Sequence, residues 1–117
     1  MATDVMFDRT WVAKHRFARI APRKAGLVMA LIRGLPCQKA LDVLRFDPRR
    51  AAVMIATTLK SAMSNANEKE ADMKRLFVGE ARVDCGPTMK RWRPKDRGRA
   101  HPICKRTSHL LVTVEER

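Results

Sequence analysis

The sequence predicts an α+β fold: a small antiparallel sheet covered on one face by three helices, with a long protruding β-hairpin. Three observations carry this expectation. Apolar residues recur at helical spacing in three successive stretches between Pro22 and Ala66, and period-two alternation flanks them at either end of the chain. The stretch joining the last two strands is too cationic and too poor in apolar residues to build a core of its own. The expected layout is an N-terminal tail over 1–10 and one α+β domain over 11–117, with the arm at about 84–106.

Each element has its own warrant. Trp11 to Arg19 alternates, with Trp11, Ala13 and Phe17 on one side and Lys14, Arg16 and Ala18 on the other, which reads as a strand. Pro22 suits the first position of a helix whose apolar residues are Ala25, Val28, Met29 and Ile32, and Gly34 and Pro36 stop it. Ala21 is a poor cap and Gly26 costs about 1 kcal/mol against alanine, so this helix leans on packing. Gln38 to Arg45 is a short helix with Ala40, Leu41 and Leu44 on one face. Asp47 and Pro48 read as the cap and first turn of the longest helix, striped by Ala52, Ile55, Leu59, Ala62 and Ala66. Asn67 to Lys74 is a polar connection. Leu76, Val78 and Val83, with Phe77 opposite, mark a strand leading into the arm. The return strand lies within Thr107 to Glu115, where Leu110, Val112 and Val114 alternate with Leu111 and Thr113. The turn is expected near Pro94 and Lys95, with Asp96 and Gly98 adding turn chemistry.

Charge narrows the partner. Lys and Arg number 25 against 12 Asp and Glu, for a net charge of +13 and a pI near 10.9. That balance favours nucleic acid over an anionic membrane, and no apolar run is long enough to insert in one. The N-terminus is not signal-like, so the protein is expected in the cytoplasm. Cys37, Cys85 and Cys104 form no Cys-x-x-Cys pair, which suits reduced thiols and fits zinc poorly. A turn near Pro94 and Lys95 would let Cys85 and Cys104 face each other. A disulfide there is conceivable, and free thiols are favoured.

The arm concentrates the signal. Between Cys85 and Arg106 stand Lys90, Arg91, Arg93, Lys95, Arg97, Arg99, Lys105 and Arg106 against one acid, Asp96. Neighbouring cations repel by roughly 0.7 kcal/mol per close pair even in water, so the arm calls for a polyanion. Arginine forks suit phosphate, and Trp92 between Arg91 and Arg93 adds a stacking surface. Six to eight neutralised phosphates would give a logarithmic salt slope of about −5 to −7. Arg49 and Arg50, in a helical first turn where the dipole disfavours cations, would be relieved by a bound phosphate or would point into water. Catalysis finds little support. His15, His101 and His109 are scattered, and Cys104 with a nearby histidine lacks an oxyanion frame. No metal spacing or cofactor loop is present in the sequence. A second binding class, an architectural DNA-binding protein, would use Pro94 at the arm tip as a wedge between base steps.

A set of ordered motifs resembles a known family. They are Arg19-Ile20-Ala21-Pro22-Arg23-Lys24-Ala25, Leu31-Ile32-Arg33-Gly34, Lys60-Ser61-Ala62, Asn65-Ala66, Val83 through Arg91, Gly98-Arg99-Ala100 and Lys105-Arg106-Thr107-Ser108-His109. From about Val12 to Glu116 the chain is similar to the twenty-second protein of the bacterial large ribosomal subunit. The resemblance implies a structural, non-enzymatic constituent that binds large-subunit rRNA, supports assembly and lines the nascent-peptide exit tunnel with its hairpin. Its implied partners are that RNA, neighbouring large-subunit proteins and the nascent peptide, with no homo-oligomer. Carried onto this chain, the RNA-binding residues would be His15, Arg19, Arg23, Lys24, Lys60, Lys90, Arg91, Arg93, Arg97, Arg99, Lys105 and Arg106. The tunnel-lining tip would run through Lys90, Arg91, Trp92, Arg93, Pro94, Lys95, Asp96, Arg97, Gly98 and Arg99. Ala21 stands where the family usually has serine, Gly26 where it commonly has arginine, and the connection at Asn67 to Lys74 is shorter.

Overall fold

The computed structural model describes residues 10–117, so apart from Thr10 the expected tail lies outside the described residues. The elements are β1 (Thr10–Ala18), α1 (Pro22–Ile32), α2 (Cys37–Phe46), α3 (Arg50–Glu68), a 3-10 turn at Met73–Arg75, β2 (Leu76–Cys85), β3 (Met89–Lys95), a tight turn at Asp96–Gly98, β4 (Arg99–Lys105) and β5 (Ser108–Glu116). The α+β class holds: three helices cover one face of a three-stranded antiparallel sheet, and β3 and β4 form a separate two-stranded ribbon.

The sheet order is β1-β5-β2, so the last strand is the middle one. That is why β5 carries the most apolar run. Leu110, Val112 and Val114 are fully buried towards the helices, and Leu111 and Thr113 are nearly buried on the opposite face. Both partners of β5 carry a bulge, and each bulge switches which residues point inward. In β2 the register shifts between Val78 and Glu80, so Leu76 and Val78 are followed inward by Ala81. In β1 the shift falls between His15 and Ala18. Phe17, expected on the side of Trp11 and Ala13, is instead turned outward, and Ala18 takes the buried place. The backbone turns there: Phe17 has φ +57, a left-handed conformation costing an L residue about 1–2 kcal/mol.

All three helices are held by burial rather than by caps. Neither Ala21 before α1 nor Arg49 before α3 makes a side-chain cap bond, a loss of about 1 kcal/mol each. Against that, α1 buries Ala25, Val28, Met29 and Ile32, and each large side chain contributes about 1.5–3 kcal/mol. Burial wins. Asp47 does not cap α3 as expected. Its backbone N–H closes α2 on Leu44, and its carboxylate accepts the Arg49 N–H at 2.9 Å, so helix α3 begins two residues later, with Arg49 in the cap position. Ala51, Ala52, Ala62 and Ala66 on the buried face of α3 let the helix lie close on the sheet. The connection read over Asn67 to Lys74 is partly regular, because α3 runs to Glu68 and Met73–Arg75 forms a 3-10 turn.

The arm is a continuation of the β2–β5 pairing through a joint. Cys85 pairs with Ser108, and the ladder resumes at Met89 opposite Lys105. In the joint the Gly86 N–H donates to the Thr107 carbonyl at 3.0 Å, and the Thr107 hydroxyl donates to the Pro87 carbonyl at 2.6 Å. A Cβ at Gly86 would sit 2.6 Å from that hydroxyl oxygen, so only glycine lets the strands come this close. The register places the turn centre at Arg97, not near Pro94 and Lys95. Arg97 and Gly98 both have positive φ, which a reversal at this point needs, whereas Pro94 has a fixed negative φ and sits in β3 opposite Ala100. With the centre moved, Cys104 lies opposite Lys90 and not Cys85, and all three cysteines are free thiols. The molecule measures 68 × 30 × 20 Å with a radius of gyration of 17.6 Å, against about 13 Å for a compact chain of this length.

Candidate nucleic-acid interface

Four parts of the chain meet at the root of the arm and enclose an open groove of about 1060 Å³. Arg19, Ile20 and Ala21 enter from the segment after β1, and Lys24 and Leu27 from α1. Arg49, Arg50 and Ala51 come from the start of α3, while Met89, Arg91, Cys104, Lys105 and Arg106 belong to the arm and its joint. Seven of these side chains are cationic and none is acidic. The groove also receives two helix beginnings, α1 and α3, that have no side-chain cap and no acid in the first turn. Their free N–H groups and positive dipole ends add to the field of the cations. A polyanion is what this arrangement can hold, since a phosphate resolves the repulsion and accepts the free donors together.

The nearest acid to these cations is Asp47, whose carboxylate lies 3.9 Å from the Arg49 Nε and is already engaged with the Arg49 N–H. Among the described residues Arg50, Arg91, Lys105 and Arg106 make no ion pair. The local sequence explains the convergence. The buried Ser108 hydroxyl donates to the Ile20 carbonyl at 3.0 Å, tying the segment before α1 to the start of β5. That bond sets Arg19 and Lys24 beside Lys105 and Arg106.

Above the groove the ribbon has two unlike faces, because residues paired across an antiparallel ladder point the same way. Arg91, Arg93, Arg99, His101 and Lys105 share one face with Met89 and Ile103. Trp92, Pro94, Ala100 and Pro102 share the other with Lys90 and Cys104. Trp92 is 69% exposed, so its ring is presented and not packed across strands. Arg97 and Gly98 are exposed in the turn, and Lys95 and Asp96 complete it in the chain order.

The structure therefore gathers Arg19, Lys24, Arg91, Lys105 and Arg106 into one groove and strings Lys90, Arg93, Arg97 and Arg99 along the arm. It does not bring Arg23, Lys60 or His15 to either place. Arg23 is exposed on α1 beside the groove, Lys60 is exposed midway along α3, and His15 is half-buried on β1 opposite Leu110. Arg49 and Arg50 belong to the groove although the resemblance did not supply them. Their signal was two arginines in an acid-free first turn. Pro94 lies within β3 and not at the turn, so the wedge required for an architectural DNA protein has no residue at the tip. No helix among the described residues is long and apolar enough to cross a membrane.

An α+β core, an acid-free groove and a projecting basic ribbon define a protein built to bind structured nucleic acid. Residues 13–115 match the model of the family described as Ribosomal protein L22p/L17e. The chain belongs to that family, and it is a structural constituent of the large ribosomal subunit that binds rRNA and acts in translation, not an enzyme.

Proposed function

We propose that this is a bacterial-type member whose groove grips rRNA at the root of the arm while the ribbon passes between RNA segments to line the nascent-peptide exit tunnel. In this reading it supports assembly, because a foot and an arm that hold different RNA segments fix their spacing. The rRNA-binding residues are those carried over from the resemblance, joined by Arg49 and Arg50. The carrying observation is the groove itself: seven cations and two uncapped helix starts with no acid among the residues lining it. The two-faced ribbon supports the tunnel role, since arginines on one face can hold RNA backbone while Trp92, Pro94, Ala100 and Pro102 look the other way.

Two measurements test it. Alanine at Arg49 and Arg50 together, and separately at Arg91 and Arg99, weakens binding to a folded large-subunit RNA fragment. Each pair flattens the logarithmic salt slope by about 1.5–2 units. An unchanged slope, or preference for bent duplex DNA in competition, rejects the RNA assignment. A photo-crosslinking residue at position 92 in assembled subunits captures an arrested nascent peptide. Crosslinks confined to surface proteins reject the tunnel assignment.

A further inference from the structure

The face of the sheet opposite the helices carries a second feature that the groove and arm do not use. Phe17 is 59% exposed on this face, thrust out by the β1 bulge and its left-handed backbone. A bulky aromatic residue rarely adopts that conformation, and here it is held in place from β5. The Phe17 N–H donates to His109 Nδ1 at 3.1 Å, and the two rings meet edge to face with centroids 5.0 Å apart and planes at 85°. With Nδ1 accepting, the imidazole carries its proton on Nε2. The phenyl ring is therefore oriented and solvent-exposed. It borders a shallow hollow of about 280 Å³ shared with His109, Lys14, Arg16, Arg82 and Asp84. Arg82 is paired with Glu80 at 3.0 Å and Asp84 at 3.4 Å, whereas Lys14 and Arg16 make no ion pair among the described residues.

We propose that this hollow is a nucleobase-stacking site for an unpaired stretch of RNA, with Phe17 receiving the face of one base and Lys14 and Arg16 holding the phosphates beside it. The proposal rests on the RNA-binding reading above and adds to it a separate contact, since the hollow and the groove share no lining residue. An exposed ring fixed in orientation beside two uncompensated cations matches a base flanked by phosphates, and single-stranded RNA presents that chemistry where duplex does not. An apolar protein partner would leave Lys14 and Arg16 without counter-charge. The bulge gives the strain a use: it removes from the core a ring that the strand alternation would have buried.

The test uses the full chain with a short single-stranded RNA of mixed sequence and a duplex of the same length, binding being measured across a range of salt. Phe17→Leu weakens single-strand binding by about five- to a hundred-fold, leaves the salt slope unchanged and spares duplex binding. Phe17→Gly, which suits the positive φ and so keeps the fold, does the same, while Phe17→Trp retains affinity. Lys14→Ala with Arg16→Ala lowers the salt slope. Unaltered single-strand affinity in both Phe17→Leu and Phe17→Gly overturns the proposal. So does a loss of affinity for a polyglutamate peptide with RNA binding intact, which assigns the face to an acidic protein segment. The groove variant Arg49→Ala with Arg50→Ala separates the two readings. If it loses binding while the Phe17 variants do not, the groove stands and the stacking site falls. If it too is unaffected, the RNA reading itself fails.

Discussion

Cys37 is fully enclosed at the start of α2, and burial pushes its thiol from 9.0 up to about 11. The folded state then keeps a proton that the unfolded chain releases first. Stability is fully present below pH 9 and falls by roughly 1.4 kcal/mol for each pH unit towards about 11, which urea titrations across that window will register. A thiol reagent added to the native protein is expected to label the exposed Cys85 and Cys104 quickly and Cys37 only on unfolding. Gly86 is the other residue whose environment dictates its identity. Gly86→Ala sets a methyl 2.6 Å from the Thr107 hydroxyl oxygen and 3.2 Å from its backbone carbonyl. It should cost about 1–3 kcal/mol in denaturant unfolding. Gly86→Ala with Thr107→Ala should recover part of that loss, because the closest contact is then gone.

Among the elements, the helices were readable and the strand irregularities were not. Ala25, Val28, Met29 and Ile32 have one arrangement that buries them together, and α1 adopts it. Leu110, Val112 and Val114 likewise declared β5, although nothing in their order announced that the last strand lies in the middle. The bulges at Gly79 and Phe17 escaped because a period-two pattern contains no mark for one extra residue, and at Phe17 the deciding bond comes from His109, 92 positions away. The arm turn was misplaced by the pull of Pro94, whose fixed φ fits an extended strand as well as a turn. Basic residues on the arm were evident one by one. Their meeting with Arg49 and Arg50 depends on the buried Ser108 to Ile20 bond, a long-range contact that local reading cannot supply. At this scale the ribbon should be separable from the foot. Replacing residues 88–106 with an Asn-Gly turn should leave the thermal midpoint within a few degrees, as it removes none of the buried core residues. A collapse of the transition would show that the ribbon holds the foot together.

For the molecule as a whole, size and charge set the terms. The 68 Å long axis and the net charge of +13 leave a ribbon that buries little of its own surface, so its amides should exchange freely in the isolated protein and become protected when RNA is bound. The open sheet face, the groove and the ribbon that rises from it are three separate surfaces on one small chain, which suits a chain that must touch several RNA segments. The route of the chain through the joint has a mechanical outcome. Strand β4 runs by way of Arg106 and Thr107 straight into β5, which is hydrogen-bonded along both edges. A tug on the loop around Arg97 therefore draws β2 and β5 together and loads the β1–β5 ladder in shear, with its bonds sharing the force at once, instead of peeling an outer strand away. The finger is anchored to the least detachable strand of the palm.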